Sequence, residues 1–252
     1  MSARRSASRA SGPERESVPS PRLTRLDLEN NILRRALEQS PLAPHVLSEE
    51  ALEASLQAAL RSPHRQPDVW LFAYGSLVWN PVLDYEARSV VTVHGHHRSF
   101  CLWSRVNRGT PERPGLVLGL DRGGRCTGVA YRIPRQLAES ELRLLWRREM
   151  LLGSYIPRWV HVSHGTESLR ALAFVVNRAR SGYAGRLPPE QIVAVLRRAH
   201  GRIGSGIDYL RQTVDGLAAH GIRDPNLLRV DALAQRELGE AEPHASRADL
   251  QL

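Results

Sequence analysis

The sequence contains no lysine: all 35 of its basic residues are arginine. That absence removes two large classes of chemistry. No Schiff base can form on an enzyme lysine, and no Walker-A loop can bring a lysine to a nucleotide phosphate. Long apolar runs are missing as well, so nothing reads as a membrane span, which needs about 18 consecutive apolar residues. The opening residues, MSARRSASRASGPERESVPSPR, lack the apolar stretch of a secretory signal, and Glu14, Glu16 and the prolines interrupt any amphipathic targeting helix. Only two cysteines occur, Cys101 and Cys126. Two are too few for a disulfide framework or a zinc site. Both lie in strand-like stretches, which predicts reduced thiols in a core and a cytoplasmic location.

The formal charge of +9 raises the question of an acidic partner. Residues 1–25, with six arginines against two glutamates, hold +4 of it. The rest is scattered, with no basic run and no interleaved aromatics. The expectation is therefore an arginine-rich composition rather than a nucleic-acid groove, with neither nucleic acid nor membrane as partner. At 252 residues and 42% apolar content, the chain can build one full domain with extensions.

Residues 1–25, poor in apolar side chains and rich in Ser, Pro and Arg, read as a disordered tail. Residues 26–67 read as a helical extension closed by the linker SPHRQP. Within it Ser48 is a plausible N-cap, Glu49 and Glu50 stand in the first turn, and Leu52, Leu56 and Leu60 recur at four-residue spacing. From Asp68 the texture changes to short β-runs at 69–73, 89–95, 99–103, 115–120, 126–133, 158–162 and 170–176. DRGG at 121–124 reads as a hairpin turn between two of them. Helices are predicted at 135–151, 188–200, 206–219 and 225–239, with Pro188 and Pro189 suited to the start of the second. Residues 240–252 read as a C-terminal tail. Strands with one inserted helix, then helices, predict an α+β domain over 68–239.

The stretch LFAYGSLVWNP, 71–81, carries the first chemical signal. Leu71, Phe72 and Ala73 read as a buried strand that breaks at Tyr74-Gly75-Ser76 and resumes at Leu77-Val78-Trp79, before Pro81 forbids further sheet pairing. Such a break exposes backbone N–H groups without partners, which can hold a carboxylate or an oxyanion. The second signal lies in the inserted helix. Leu142, Leu145, Trp146 and Glu149 fall on one face, so an apolar stripe ends in a carboxylate, while Arg147 and Arg148 are expected to point elsewhere. Burial raises a carboxyl pKa, as a general base near neutral pH requires. The alternative is a structural ion pair between Glu149 and an arginine.

Other features read as structural. HGHH, 94–97, lies at a strand end with no carboxylate or cysteine at ligand spacing, so no metal is expected there. GRIGSG, 201–206, follows a helix rather than a strand, which excludes a dinucleotide loop and predicts a helix end and turn. Trp103 and Trp146 are assigned to core packing.

The loop and the glutamate segment together resemble the ChaC-type γ-glutamylcyclotransferases. FAYGSLVWNP is similar to the family's loop Y-G-S-L-(I/V)-W. HHRSFCLWS, RGTPERPGLVLGLDRGG and GVAYRIP follow in the family's order, and LWRREM carries its glutamate. The resemblance spans roughly 68–235. It implies a small mixed β-barrel with flanking helices and one inserted helix bearing the catalytic Glu149. It further implies that the loop Ala73, Tyr74, Gly75, Ser76, Leu77 and Val78, with Tyr209, holds a γ-glutamyl moiety. Gly206 stands where the family usually has asparagine, and Ala73 where glycine is frequent. Residues 1–67 lie outside the resemblance and receive no chemistry.

The implied activity is that of a lyase in glutathione catabolism. The substrate's α-amine attacks its own γ-carbonyl, giving 5-oxoproline and Cys-Gly, with Glu149 as base and acid and no metal or cofactor. Cyclotransfer on other γ-glutamyl amines or amino acids is the alternative within the same chemistry. A non-catalytic binding module tethered by the arginine-rich tail is the alternative outside it.

Overall fold

The computed structural model describes residues 22–61 and 67–239. Most of the tail 1–25, most of the linker 62–67 and the tail 240–252 lie outside them. Five strands form a closed barrel. In chain order they are β1 (Val69–Ala73), β2 (Ala87–Ser104), β3 (Gly115–Ile133), β4 (Tyr155–His164) and β5 (Glu167–Val176). The spatial order is β1-β3-β2-β4-β5, antiparallel throughout until β5 meets β1 in parallel at Leu172 and Leu71. This is the mixed barrel with flanking helices expected above.

β1 is an almost uninterrupted apolar run because it is enclosed on both faces: Leu71, Phe72 and Ala73 are fully buried. The first half of β2 alternates instead, with Val91 and Val93 inward and Thr92 between them. At Gly128 of β3 the barrel wall is too tight for a side chain. A Cβ there would stand 2.3 Å from the Ala73 carbonyl oxygen and 2.8 Å from the Phe72 ring. Gly128→Ala should therefore lower stability by about 1–3 kcal/mol, the usual range for overpacking, read as a fall in Tm on thermal unfolding.

Two long strands replace four of the predicted short ones. DRGG is not a turn: it lies inside β3, where Asp121 pairs with His97 and Arg122 with His96 of β2. Its glycines do take left-handed backbone, φ 103° at Gly123 and 71° at Gly124. They serve a bulge opposite Gly95 (φ 80°), where the register shifts between His94 and His96. Glycine pairs mark positive φ, and in sequence a bulge and a hairpin turn look alike.

The helices are α1 (Arg25–Glu29), α2 (Ile32–Glu38), α3 (Glu49–Arg61), α4 (Ser76–Trp79), α5 (Arg135–Glu149), α6 (Pro189–Arg198), α7 (Gly206–Ala218) and α8 (Pro225–Gly239). Ser48 caps α3 by accepting from the Ala51 amide at 3.2 Å. GRIGSG forms neither a plain helix end nor a bare turn. His200–Gly201 and Gly204–Ser205 pair as a miniature hairpin ahead of α7, and Ser205 and Asp208 then close a capping box. The N-terminal leucines Leu28, Leu33, Leu37, Leu52 and Leu56 join the same apolar core as Leu71, Tyr131 and Trp146.

Candidate active site

A cavity opens at one end of the barrel. Several segments converge on it, four of them with polar groups that matter below. The chain leaving β1 supplies Tyr74, Gly75, Ser76 and Leu77, the end of α5 supplies Arg148 and Glu149, the end of β2 and the loop after it supply residues 104–108, and α7 supplies Tyr209.

The break after β1 is real, but the strand does not resume. Ser76–Trp79 coil into the single helical turn α4, in which the Val78 amide donates to the Gly75 carbonyl at 2.9 Å. The turn faces the cavity with its start. Among the described residues, the amides of Gly75, Ser76 and Leu77 have no intramolecular hydrogen-bond acceptor. Gly75 lies close to Tyr209: a Cβ there would stand 3.3 Å from the Tyr209 hydroxyl oxygen, a tight contact. That hydroxyl accepts from the Leu118 amide at 3.2 Å, and burial pushes its pKa up to about 12.

The turn is held from behind. Arg98 on β2 is buried, and its Nε donates to the Tyr74 carbonyl, its Nη2 to the Thr127 carbonyl at 2.7 Å, and its Nη1 to Asp224. Tyr131 donates its hydroxyl to the carbonyls of Leu77 and Val78, each at 3.2 Å. Two of the expected loop residues therefore sit behind the wall rather than on it. Ala73 is fully buried in the β1–β3 ladder opposite Val129, and Val78 is turned inward by α4. Neither lines the cavity.

Glu149 closes α5, and its side chain is 14% exposed, toward the cavity that it lines. Burial raises its pKa above the ordinary 4.5; the neighbouring charge of Arg148 and its hydrogen bond act the other way. Arg148 thus does not point elsewhere. Its Nε lies 3.0 Å from Glu149 Oε1, while Nη2 donates to Ser76 Oγ at 2.8 Å and Nη1 to the Asn80 carbonyl at 2.6 Å. One guanidinium ties the glutamate to the turn. The helix buries a wider face than the stripe ending in Glu149, with Glu141 and Leu144 inward too. Arg148 follows these at seven and four residues, and that spacing was the signal for it in the sequence.

Sequence reasoning gave no place on the wall to three further components, among them Trp103, which it assigned to core packing. Tyr155 at the start of β4 lines the cavity, and burial lifts its pKa well above the ordinary tyrosine value, so its hydroxyl stays protonated. Trp103 faces the cavity, whereas Trp146 is in the core against Phe174. Leu23, Leu33, Leu37 and Leu42 of the N-terminal extension form an apolar side of the cavity. Their segment is pinned by Arg25, which donates to the buried Glu141 at 2.7 and 2.9 Å. Gly206 is excluded from bearing a side chain by packing: a Cβ would stand 2.7 Å from the Leu196 carbonyl oxygen.

The geometry gives a pH prediction. Glu149 should titrate above the ordinary glutamate range. Because Arg148 holds its pKa down, Arg148→Met should move that titration to still higher pH, read from the carboxyl signal in NMR across a pH series.

The closed mixed barrel with flanking helices is also found in a solved γ-glutamyl cyclotransferase. The crystal structure of the glutathione-specific γ-glutamyl cyclotransferase from yeast superposes with a TM-score of 0.63, covering 68% of this chain and 97% of that one, at 21% identity. A family model described as ChaC-like protein matches residues 69–237. The chain belongs to the ChaC-like family. The glutathione-specific γ-glutamylcyclotransferase of Escherichia coli K12 is 36% identical over 209 residues, 82% of this chain and 89% of that protein. The human glutathione-specific γ-glutamylcyclotransferase 1 is 34% identical over 152 residues, 58% of this chain and 68% of that protein.

Proposed function

We propose that this protein cleaves glutathione to 5-oxoproline and Cys-Gly in the cytoplasm, with Glu149 as the proton-transfer group. The observation that carries the reading is the meeting of Glu149 and the free amides of Gly75, Ser76 and Leu77 on one cavity. The names of the relatives support the substrate.

The arrangement supports the following chemistry. The α-ammonium of the γ-glutamyl group gives a proton to the Glu149 carboxylate. The freed amine attacks the γ-carbonyl carbon, closing a five-membered ring, and the amides of the turn hold the oxygens of the γ-glutamyl moiety. The carbon–nitrogen bond to cysteine then breaks as Glu149 delivers a proton to the leaving nitrogen. Two protons leave the attacking nitrogen overall and two reach the leaving one, so Glu149 shuttles both and ends as it began. Attack within one molecule gains most from orientation, with effective molarities of about 10⁵–10⁸ M for well-placed groups. Tyr155, protonated and beside Glu149, is a further donor to the reacting carbonyl.

The test is turnover of glutathione beside γ-Glu-Ala and a γ-glutamyl alkylamide, followed by amine release. Glutathione is expected to react fastest. A faster rate on either other substrate would overturn the substrate assignment and keep the reaction. Turnover of none would overturn the reaction.

A further inference from the structure

The loop following β2 brings two arginines to the cavity wall, Arg105 and Arg108. Neither makes a salt bridge among the described residues. Arg108 is 2% exposed, and its Nε is buried without a hydrogen-bond partner. Its other nitrogens meet only neutral acceptors, the Ser205 carbonyl at 3.3 Å and Gln212 Oε1 at 3.1 Å. The guanidinium lies over the rings of Trp79, at 5.9 Å, and Tyr209, at 5.4 Å. The nearest carboxylate acting on it, Asp208, does so through space without a salt bridge, so the buried charge is only partly balanced, which is costly. Arg105 is half-buried and makes no hydrogen bond or ion pair among the described residues.

The charge balance of the cavity points the same way. Among the described residues, the charged side chains of its wall are Arg105, Arg108 and Arg148 against the carboxylate of Glu149. Arg148 is already engaged with Glu149, Ser76 and Asn80. The empty cavity therefore lacks negative charge, and the deficit lies at the loop. Arg108, over the ring of Tyr209 beside Gly75, borders the γ-glutamyl end, and the half-buried Arg105 is the loop cation left for the carboxylate at the other end of the same molecule.

We infer that Arg105 forms a subsite for the C-terminal carboxylate of the leaving peptide, in direct contact with it, while Arg108 adds fixed positive charge from the γ-glutamyl side of the cavity. The inference rests on the cyclotransferase reading and adds what that reading leaves open: selection of substrates whose leaving group ends in a free carboxylate. γ-Glutamyl amines, which lack one, are thereby disfavoured.

The experiment compares glutathione with its C-terminal amide, γ-Glu-Cys-Gly-NH2, on the wild type, Arg105→Gln and Arg108→Met. Arg105 is chosen as the main site because it anchors no other residue, so its loss should leave folding intact. Wild type should prefer the acid by roughly tenfold or more in kcat/KM, the factor expected of one charge-assisted contact. Arg105→Gln should erase most of that preference by slowing the acid alone. Arg108→Met should also narrow the preference, whatever its effect on the absolute rate. Equal rates of the wild type on acid and amide, or a preference unchanged in Arg105→Gln, would overturn the subsite and leave the cyclotransferase reading standing. No turnover of either substrate by the wild type would overturn that reading itself.

Discussion

Glu149→Gln should lower kcat on glutathione by about 10²- to 10⁴-fold, the range of a positioned general acid–base. Glutamine keeps the shape and the hydrogen-bonding reach of the side chain toward Arg148, but it cannot accept the ammonium proton. The amine then stays unreactive although the turn, Tyr155 and Tyr209 are all in place. Stability should move in the opposite direction. The pKa of Glu149 is raised in the folded state by burial, so folding favours its protonated form. That contribution is fully present below the pKa of the unfolded chain and is lost as pH rises through the folded pKa. At pH 8 the wild type carries a buried carboxylate that the variant lacks, and Glu149→Gln should unfold at the higher temperature. The gap should shrink as pH falls below the usual carboxylate range. Thermal unfolding at the two pH values, beside single-turnover rates, reads both effects. A variant that is inactive and less stable at pH 8 would instead mark Glu149 as a structural partner of Arg148.

Arg98→Met should destabilise the fold by about 3–5 kcal/mol, the range for removing one partner of a buried ion pair. Three acceptors depend on this one guanidinium: the carbonyls of Tyr74 and Thr127, and Asp224 at the start of α8. Methionine fills much the same volume, so the loss comes from stranded oxygens rather than a cavity. The effect on activity should exceed what unfolding explains, because the Tyr74 carbonyl is where β1 hands over to the turn of free amides. At a temperature where the variant is still folded, kcat/KM should fall clearly. Denaturant melts and kinetics at low temperature separate the two. A full-strength rate in a folded but weakened variant would show that the turn holds its shape without Arg98.

Most of the barrel could be read from the chain. The continuous apolar run of β1 and the alternation in β2 carry their own burial pattern, and Ser48 announces the start of α3. The two glycine-marked bends could not, because positive φ at Gly123 and Gly124 is compatible with either a turn or a bulge. Only the pairing of β2 along β3 decides between them. The turn 76–79 was misread for a related reason: Leu77-Val78-Trp79 is apolar and short, and such runs do not reveal their period.

At the candidate site, the placing of Glu149 and the free amides on one cavity was legible and the support of both was not. Glu149 showed itself by ending an apolar stripe, and the free amides by the strand break. Arg148, Arg98 and Glu141 are all charged, and in sequence a charge reads as a solvated face. Their burial depends on partners distant in the chain: Ser76, Tyr74 and Arg25 respectively. The leucines of the extension gave no hint of reaching the cavity, since an amphipathic helix does not say which surface it covers.

The most direct measurement is the product balance from glutathione in water labelled with oxygen-18. Cyclisation uses no water. The expected result is 5-oxoproline and Cys-Gly in equal amounts, neither carrying the label, with no glutamate. Glutamate bearing one labelled oxygen, in place of 5-oxoproline, would mean that water and not the substrate's own amine attacks the γ-carbonyl.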